Sequence, residues 1–120
     1  MEAASDLLDD VELRNMLIDS SKLFQASVSA ELSTIFIVNW IGGTLHKAHS
    51  SNLPEDKKIV LKLGTGIAGN VALTGEVHNI EDAYNDPLFD KSWDIITGVT
   101  TKAILALPIR SRNGNILGVL

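Results

Sequence analysis

Residues 64–80 read GTGIAGNVALTGEVHNI, and the fold turns on how that stretch is parsed. Gly64-x-Gly66-x-x-Gly69 follows a predicted strand and matches the dinucleotide-binding fingerprint. That fingerprint needs a helix long enough to carry the chain over to a parallel strand, a connection of about a dozen residues or more. Here Gly75 stands where a C-terminal capping glycine belongs, so the helix is over by Thr74, after roughly two turns. Val77 to Ile80 then reads as a short strand. The simpler parse is a glycine-rich turn that opens a short helix. Its free backbone N–H groups suit an anion or a carbonyl oxygen.

The flanking sequence agrees with an antiparallel arrangement. Residues 33–40 (STIFIVNW) are β-branched and aromatic, and residues 44–50 (TLHKAHS) follow after a turn at Ile41-Gly42-Gly43-Thr44. So tight a connection predicts a hairpin. Residues 59–63 form a third short strand after a loop that holds Pro54. Residues 81–100 read as a loop with a short helix inside it. Residues 103–109 read as one buried strand, and Asn113-Gly114 as the turn into a last strand over 115–120. Upstream, Leu7, Leu8, Val11, Leu17, Ile18 and Phe24 repeat at an imperfect helical period, predicting a helix over 5–28 with Ser5 as N-cap. Asp6, Asp9 and Asp10 complement its dipole. The order is a helix, then mostly antiparallel strands with short helices inserted, which is α+β.

We expect one domain over 1–120, with a helical segment at 1–30 and a sheet-and-pocket region at 31–120. The chain stops at Leu120 inside an apolar strand, which reads as a domain truncated at its C-terminal end. Ten Lys and Arg against fifteen Asp and Glu give a net charge of −5, all of it carried by the first twenty residues. Nothing neutralises a phosphate backbone, so we expect no nucleic-acid partner. The longest apolar run is too short for a membrane span, and the acidic start is no secretory leader. Cysteine is absent, which removes disulfides, thiolate nucleophiles and Cys-based metal centres. A cytoplasmic location fits that composition.

Other candidates for chemistry resolve to plainer readings. His46 and His49 lie three apart on a strand and should point to opposite faces, and His78 stands alone, so we expect no metal site. Asp82, Asp86, Asp90 and Asp94 recur every four residues, but Pro87 interrupts any helix that would align them. They read as a solvated acidic loop. Tyr84 and Trp93, in the same segment, read as anchors to the core.

At residues 64–120 the sequence resembles a GAF domain, most of all the tandem GAF domains of cyclic nucleotide phosphodiesterases and related cyclases. The matching pieces are Gly66-Ile67-Ala68-Gly69, Thr74-Gly75-Glu76, Asn79-Ile80, Asp82-Ala83-Tyr84, Asp86-Pro87-x-Phe89, Thr97-Gly98, Ile104-Leu105-x-x-Pro108-Ile109 and Ile116-x-Gly118-Val119. Residues 33–39 resemble the family's first strand. The resemblance implies a six-stranded antiparallel sheet with helices on both faces, a buried small-molecule pocket, and terminal helices that pair two copies. It implies a regulatory domain, not an enzyme, that senses cGMP or cAMP within a phosphodiesterase-like protein and needs no cofactor. The alternative it allows is a ligand-free module for dimerisation and signal relay. The GAF-like methionine sulfoxide reductases depend on cysteines, which this chain lacks.

Carried over residue by residue, the nucleotide site comprises Thr34, Ile67, Ala68, Asp94, Thr97 and Thr101. Ile67 and Ala68 would offer N–H groups to the cyclic phosphate. Ser50 and Ser51 stand where cGMP-binding members often have an aromatic residue and an Asp, and Asp90 where some have Tyr. Loss of the aromatic ring removes base stacking on the order of 1–3 kcal/mol.

Overall fold

Strand β1 (Thr34–Asn39) anchors the fold because its apolar residues do not alternate with polar ones. Ile35, Phe36, Ile37 and Val38 are all between 1% and 6% exposed, so both faces of the strand are covered. Burial of each such side chain contributes about 1.5–3 kcal/mol. The structure, a computed structural model, describes residues 11–120.

Among the described residues, seven strands form two sheets. The first has five antiparallel strands in the order β3 (Val60–Lys62), β2 (Thr44–Ser50), β1, β7 (Ile116–Val119), β6 (Pro108–Arg110). The second pairs β4 (His78–Ile80) with β5 (Ile104–Ala106). Helix α1 (Val11–Ser27) covers the back of the large sheet. There Leu17 packs on Ile35, Ile37 and Ala48 with Ile109, Leu117 and Leu120. Helix α2 (Gly66–Thr74) covers the front, where Ile67, Val71 and Ala72 join Phe36, Val38, Leu45 and Val119. Gly75 caps α2 in the left-handed conformation, as its sequence position requires.

Two expectations are corrected. The six predicted strands are all present, but not in one sheet. The run 103–109 splits at Leu107: its first half pairs with β4 and its second with β7. Leu107 holds the large sheet through two backbone bonds to Leu120, at 2.8 and 2.9 Å. Pro108, which follows, has no N–H to give, and from Leu107 onward the run belongs to the large sheet. Secondly, His46 and His49 share a face. A register shift between Ile35 and Phe36 places His46 opposite Ile37 and His49 opposite Ile35, both on the back. They are engaged separately, His46 Nε2 with the Thr44 hydroxyl and His49 Nδ1 with Glu55. The first predicted helix is seen from Val11 to Ser27, and its proposed N-cap Ser5 with Asp6, Asp9 and Asp10 lies outside the described residues.

Candidate functional site

The turn into α2 is built by close approach of backbone. The Gly64 N–H bonds to the Gly69 carbonyl at 2.9 Å, and a Cβ on Gly69 would come within 2.6 Å of the Lys62 carbonyl oxygen. Only glycine lets the first turn of α2 fold back onto the end of β3. Thr65, at the N-cap, donates its hydroxyl to Lys62 and makes no capping bond. The first N–H groups of α2 therefore lack intrahelical partners, and the positive end of the helix dipole lies with them.

Just inside that turn, Ile67 and Ala68 border a cavity of about 570 Å³. Phe36 and Val119 of the sheet form its floor, Ile67 and Ala68 one wall, and Phe24 and Gln25 from the end of α1, with Val28 just after it, another. Residues 81–103 cover it as a lid. The lid comprises a 3-10 turn (Ala83–Asn85), helix α3 (Ser92–Thr97) and the segment leading into β5. Trp93 packs edge-on against Phe36, ring centroids 6.1 Å apart, so it both anchors the lid and lines the cavity.

Side-chain hydrogen bonds organise the lid. The Asp94 carboxylate accepts from the Thr101 hydroxyl at 2.5 Å, from the Thr101 N–H at 3.0 Å, and from the Tyr84 hydroxyl. Partial desolvation by itself pushes the Asp94 carboxyl up. The bonds from the Thr101 hydroxyl, Tyr84 and the Thr101 N–H outweigh it and hold the group below the usual Asp value. The Tyr84 phenol is pushed up, first by that same bond, then by desolvation and the Asp94 charge. Asp90 accepts from the hydroxyl and N–H of Ser92 at 2.6 and 2.9 Å, and these bonds hold its carboxyl down against slight desolvation. Asp86 accepts from the Leu88 N–H, and Asp82 from the Asn85 amide. The four-residue recurrence of Asp is therefore a set of local turns and one cross-lid knot, not one helix face.

Six of the nine site residues expected from the sequence meet at the cavity: Thr34, Ile67, Ala68, Asp90, Thr97 and Thr101. Three do not. Asp94 faces Thr101 and Tyr84. Ser50 is buried behind the wall, accepting from the Thr34 hydroxyl at 3.0 Å and donating to Asn52 at 3.1 Å. Ser51 is exposed, and its hydroxyl accepts from the Ser33 N–H at 3.0 Å, tying the start of β1 to the end of β2. Sequence reasoning missed Asn52, Phe24 and Gln25 as lining residues. Asn52 sits beside Pro54 in what reads as an ordinary loop, and Phe24 and Gln25 carry only the signal of a helix end.

A family model described as "GAF domain" matches residues 12–120. The chain belongs to the GAF domain family. It is 36% identical, over 98% of its length, to the Caenorhabditis elegans protein named "Probable 3',5'-cyclic phosphodiesterase pde-5", of which it spans 18%. It is 43% identical, over 56% of its length, to the Drosophila melanogaster "Dual 3',5'-cyclic-AMP and -GMP phosphodiesterase 11", of which it spans 5%. This GAF domain thus corresponds to a small part of those curated relatives. Among solved structures it resembles the GAF domain of a Coxiella burnetii phosphoenolpyruvate-protein phosphotransferase. That match has a TM-score of 0.76 at 22% identity and covers 97% of this chain and 70% of that one. At that identity the likeness speaks for the fold. Among the described residues no helix is long and apolar enough to cross a membrane.

Proposed function

We propose that this GAF domain is a regulatory sensor of a cyclic nucleotide, cGMP or cAMP, within a phosphodiesterase-like signalling protein. The observation that carries the reading is the cavity of about 570 Å³, mostly apolar, with the free N–H groups of α2 at one side. That volume lies in the range of small-molecule sites. An apolar enclosure suits a purine ring, and the start of α2 suits the single negative charge of a cyclic phosphate. The hydroxyls of Thr34, Thr97 and Thr101 supply orienting contacts. The names of the phosphodiesterase relatives support the same ligand class.

The ligand would enter beneath residues 81–103, and closure would alter the terminal helices only so far as the ligand favours one state over the other. Pairing of two copies through those helices belongs to this reading, and Met16 and Leu23, seven residues apart on α1 and exposed at 57% and 72%, are consistent with it. Catalysis would reside elsewhere in the parent protein.

Calorimetric titration of cGMP and cAMP into the folded chain tests the proposal. The expected result is saturable binding of one nucleotide, weakened about two- to tenfold by Thr97→Ala, the scale of one hydrogen bond. Absence of binding by both would sink it. The second reading, a ligand-free module for dimerisation, is favoured by the Asp94 carboxylate, whose oxygens are already engaged by three protein donors. It expects Trp93 fluorescence to ignore both nucleotides.

A further inference from the structure

A chain of hydrogen bonds runs from the sheet to the lid along the cavity wall. The Thr34 hydroxyl donates to Ser50 Oγ (3.0 Å), the Ser50 hydroxyl to Asn52 Oδ1 (3.1 Å), and Asn52 Nδ2 to the Thr97 carbonyl (3.5 Å). Every donor points the same way. The last acceptor is a carbonyl, which accepts only, so the amide orientation at Asn52 is determined. Ser50 is 2% exposed, and its place in the relay satisfies its own buried hydroxyl. Among the described residues no other side-chain hydrogen bond joins the lid to β1 or β2.

We propose that Asn52 is a positioning residue that latches the lid to the sheet. The long final bond makes it a latch that opens at little cost. Asn52 uses one of its two N–H donors and one of its two carbonyl lone pairs, and it borders the cavity. A spare donor and a spare acceptor therefore remain on an amide that borders the cavity. They match a ligand edge that presents an acceptor next to a donor, as a purine base does. A bound base would hold the latch shut. The latch belongs to the empty domain, whereas the role in holding a base rests on the nucleotide reading.

Hydrogen exchange on the nucleotide-free chain tests the latch. Asn52→Asp keeps the size and the acceptor for Ser50, but removes the donor and sets a carboxylate against the Thr97 carbonyl. The Gly98 and Thr101 amides should exchange about two- to tenfold faster, with β1 and β2 amides unchanged. Ser50→Ala, which cuts the relay one step back, should move the same amides by less, and it carries the test if Asn52→Asp fails to fold. Unchanged exchange in the lid, or uniform acceleration through β1 and β2, would overturn the proposal. Stopped-flow release of cGMP and cAMP separates the two claims. Faster release from Asn52→Asp by the same factor supports both. A chain that binds neither nucleotide yet shows the exchange change keeps the latch and loses the nucleotide reading. Unchanged exchange and unchanged release of a bound nucleotide would remove the latch and leave the sensor.

Discussion

The floor and the lid of the cavity are held by different forces. The floor is β1 and its neighbours, where Ile35, Ile37, Leu45 and Val119 are at most 2% exposed and backbone ladders run on both sides of β1. The lid has a six-residue helix with no buried residue, and Ile95 on it is 86% exposed. What orders the lid is a small number of polar knots and a thinner apolar seam than the floor's, in which Ala83 is buried and Leu88, Phe89 and Trp93 are partly buried against the core. A region stabilised by apolar burial opens only with the whole domain, whereas one tied by a few hydrogen bonds opens by itself. A sensor needs both behaviours, a rigid surface to bind against and a cover that responds.

The strongest way to break the comparison is to attack the floor. Gly118 on β7 faces Ile37, and a Cβ there would run into the Phe36 carbonyl oxygen. The clash is with backbone in the most buried strand, so no flexible side chain can yield. Gly118→Ala should cost about 3 kcal/mol, in the range of severe overpacking. The urea midpoint should fall, and exchange should accelerate through β1, β7 and the lid together. A local effect confined to the lid would show that the floor is not the unit that carries global stability.

The same division explains what could be read from the sequence. The floor was legible because its forces are local in pattern: four apolar residues in a row at 35–38, a Gly-Gly turn, and Gly64 to Gly75 bounding a short helix. The division of 103–109 was not, since Leu105 pairs with Asn79 and Ile109 with Gly118, and nothing within the run says that its halves have different partners. The site was legible where backbone or wall position decides, as at Ile67, Ala68 and Thr97. It was not where side chains choose partners across the fold. Asp94 finds Tyr84 ten residues back and Thr101 seven ahead, spacings that follow no period. Asn52 reaches Thr97 across forty-five residues.

An intermediate effect is expected from untying the lid's own knot. Asp94→Ala leaves the Thr101 N–H and the Tyr84 hydroxyl without their acceptor. Lid amides should lose protection, and Trp93 should become more accessible to a soluble quencher. The urea midpoint should stay where it was, because the half-buried carboxylate ties only lid residues to one another and the floor is untouched. A midpoint shift as large as that of Gly118→Ala would collapse the distinction between the two regions.

The smallest expected effect is on pH, and it isolates the knot without changing a residue. The Asp94 carboxyl lies below its ordinary value, so its contribution is complete above about 3.8 and is lost as pH falls through the lowered folded value. Asp90 shares that acid limb, since its bonds to Ser92 also favour the charged form. The Tyr84 phenol lies above its ordinary value of 10.0, so its contribution is complete below that and is lost as pH rises through the raised folded value. Between these limits the lid should be insensitive to these three groups. Trp93 fluorescence, followed in a Trp40→Phe background, should therefore show a plateau with one limb below 3.8 and another above 10.0. Tyr84→Phe should abolish the alkaline limb and spare the acid one, while Asp94→Ala should weaken both, since the phenol then has no partner to lose. An alkaline limb that survives Tyr84→Phe would mean that the floor, not the knot, is what titrates.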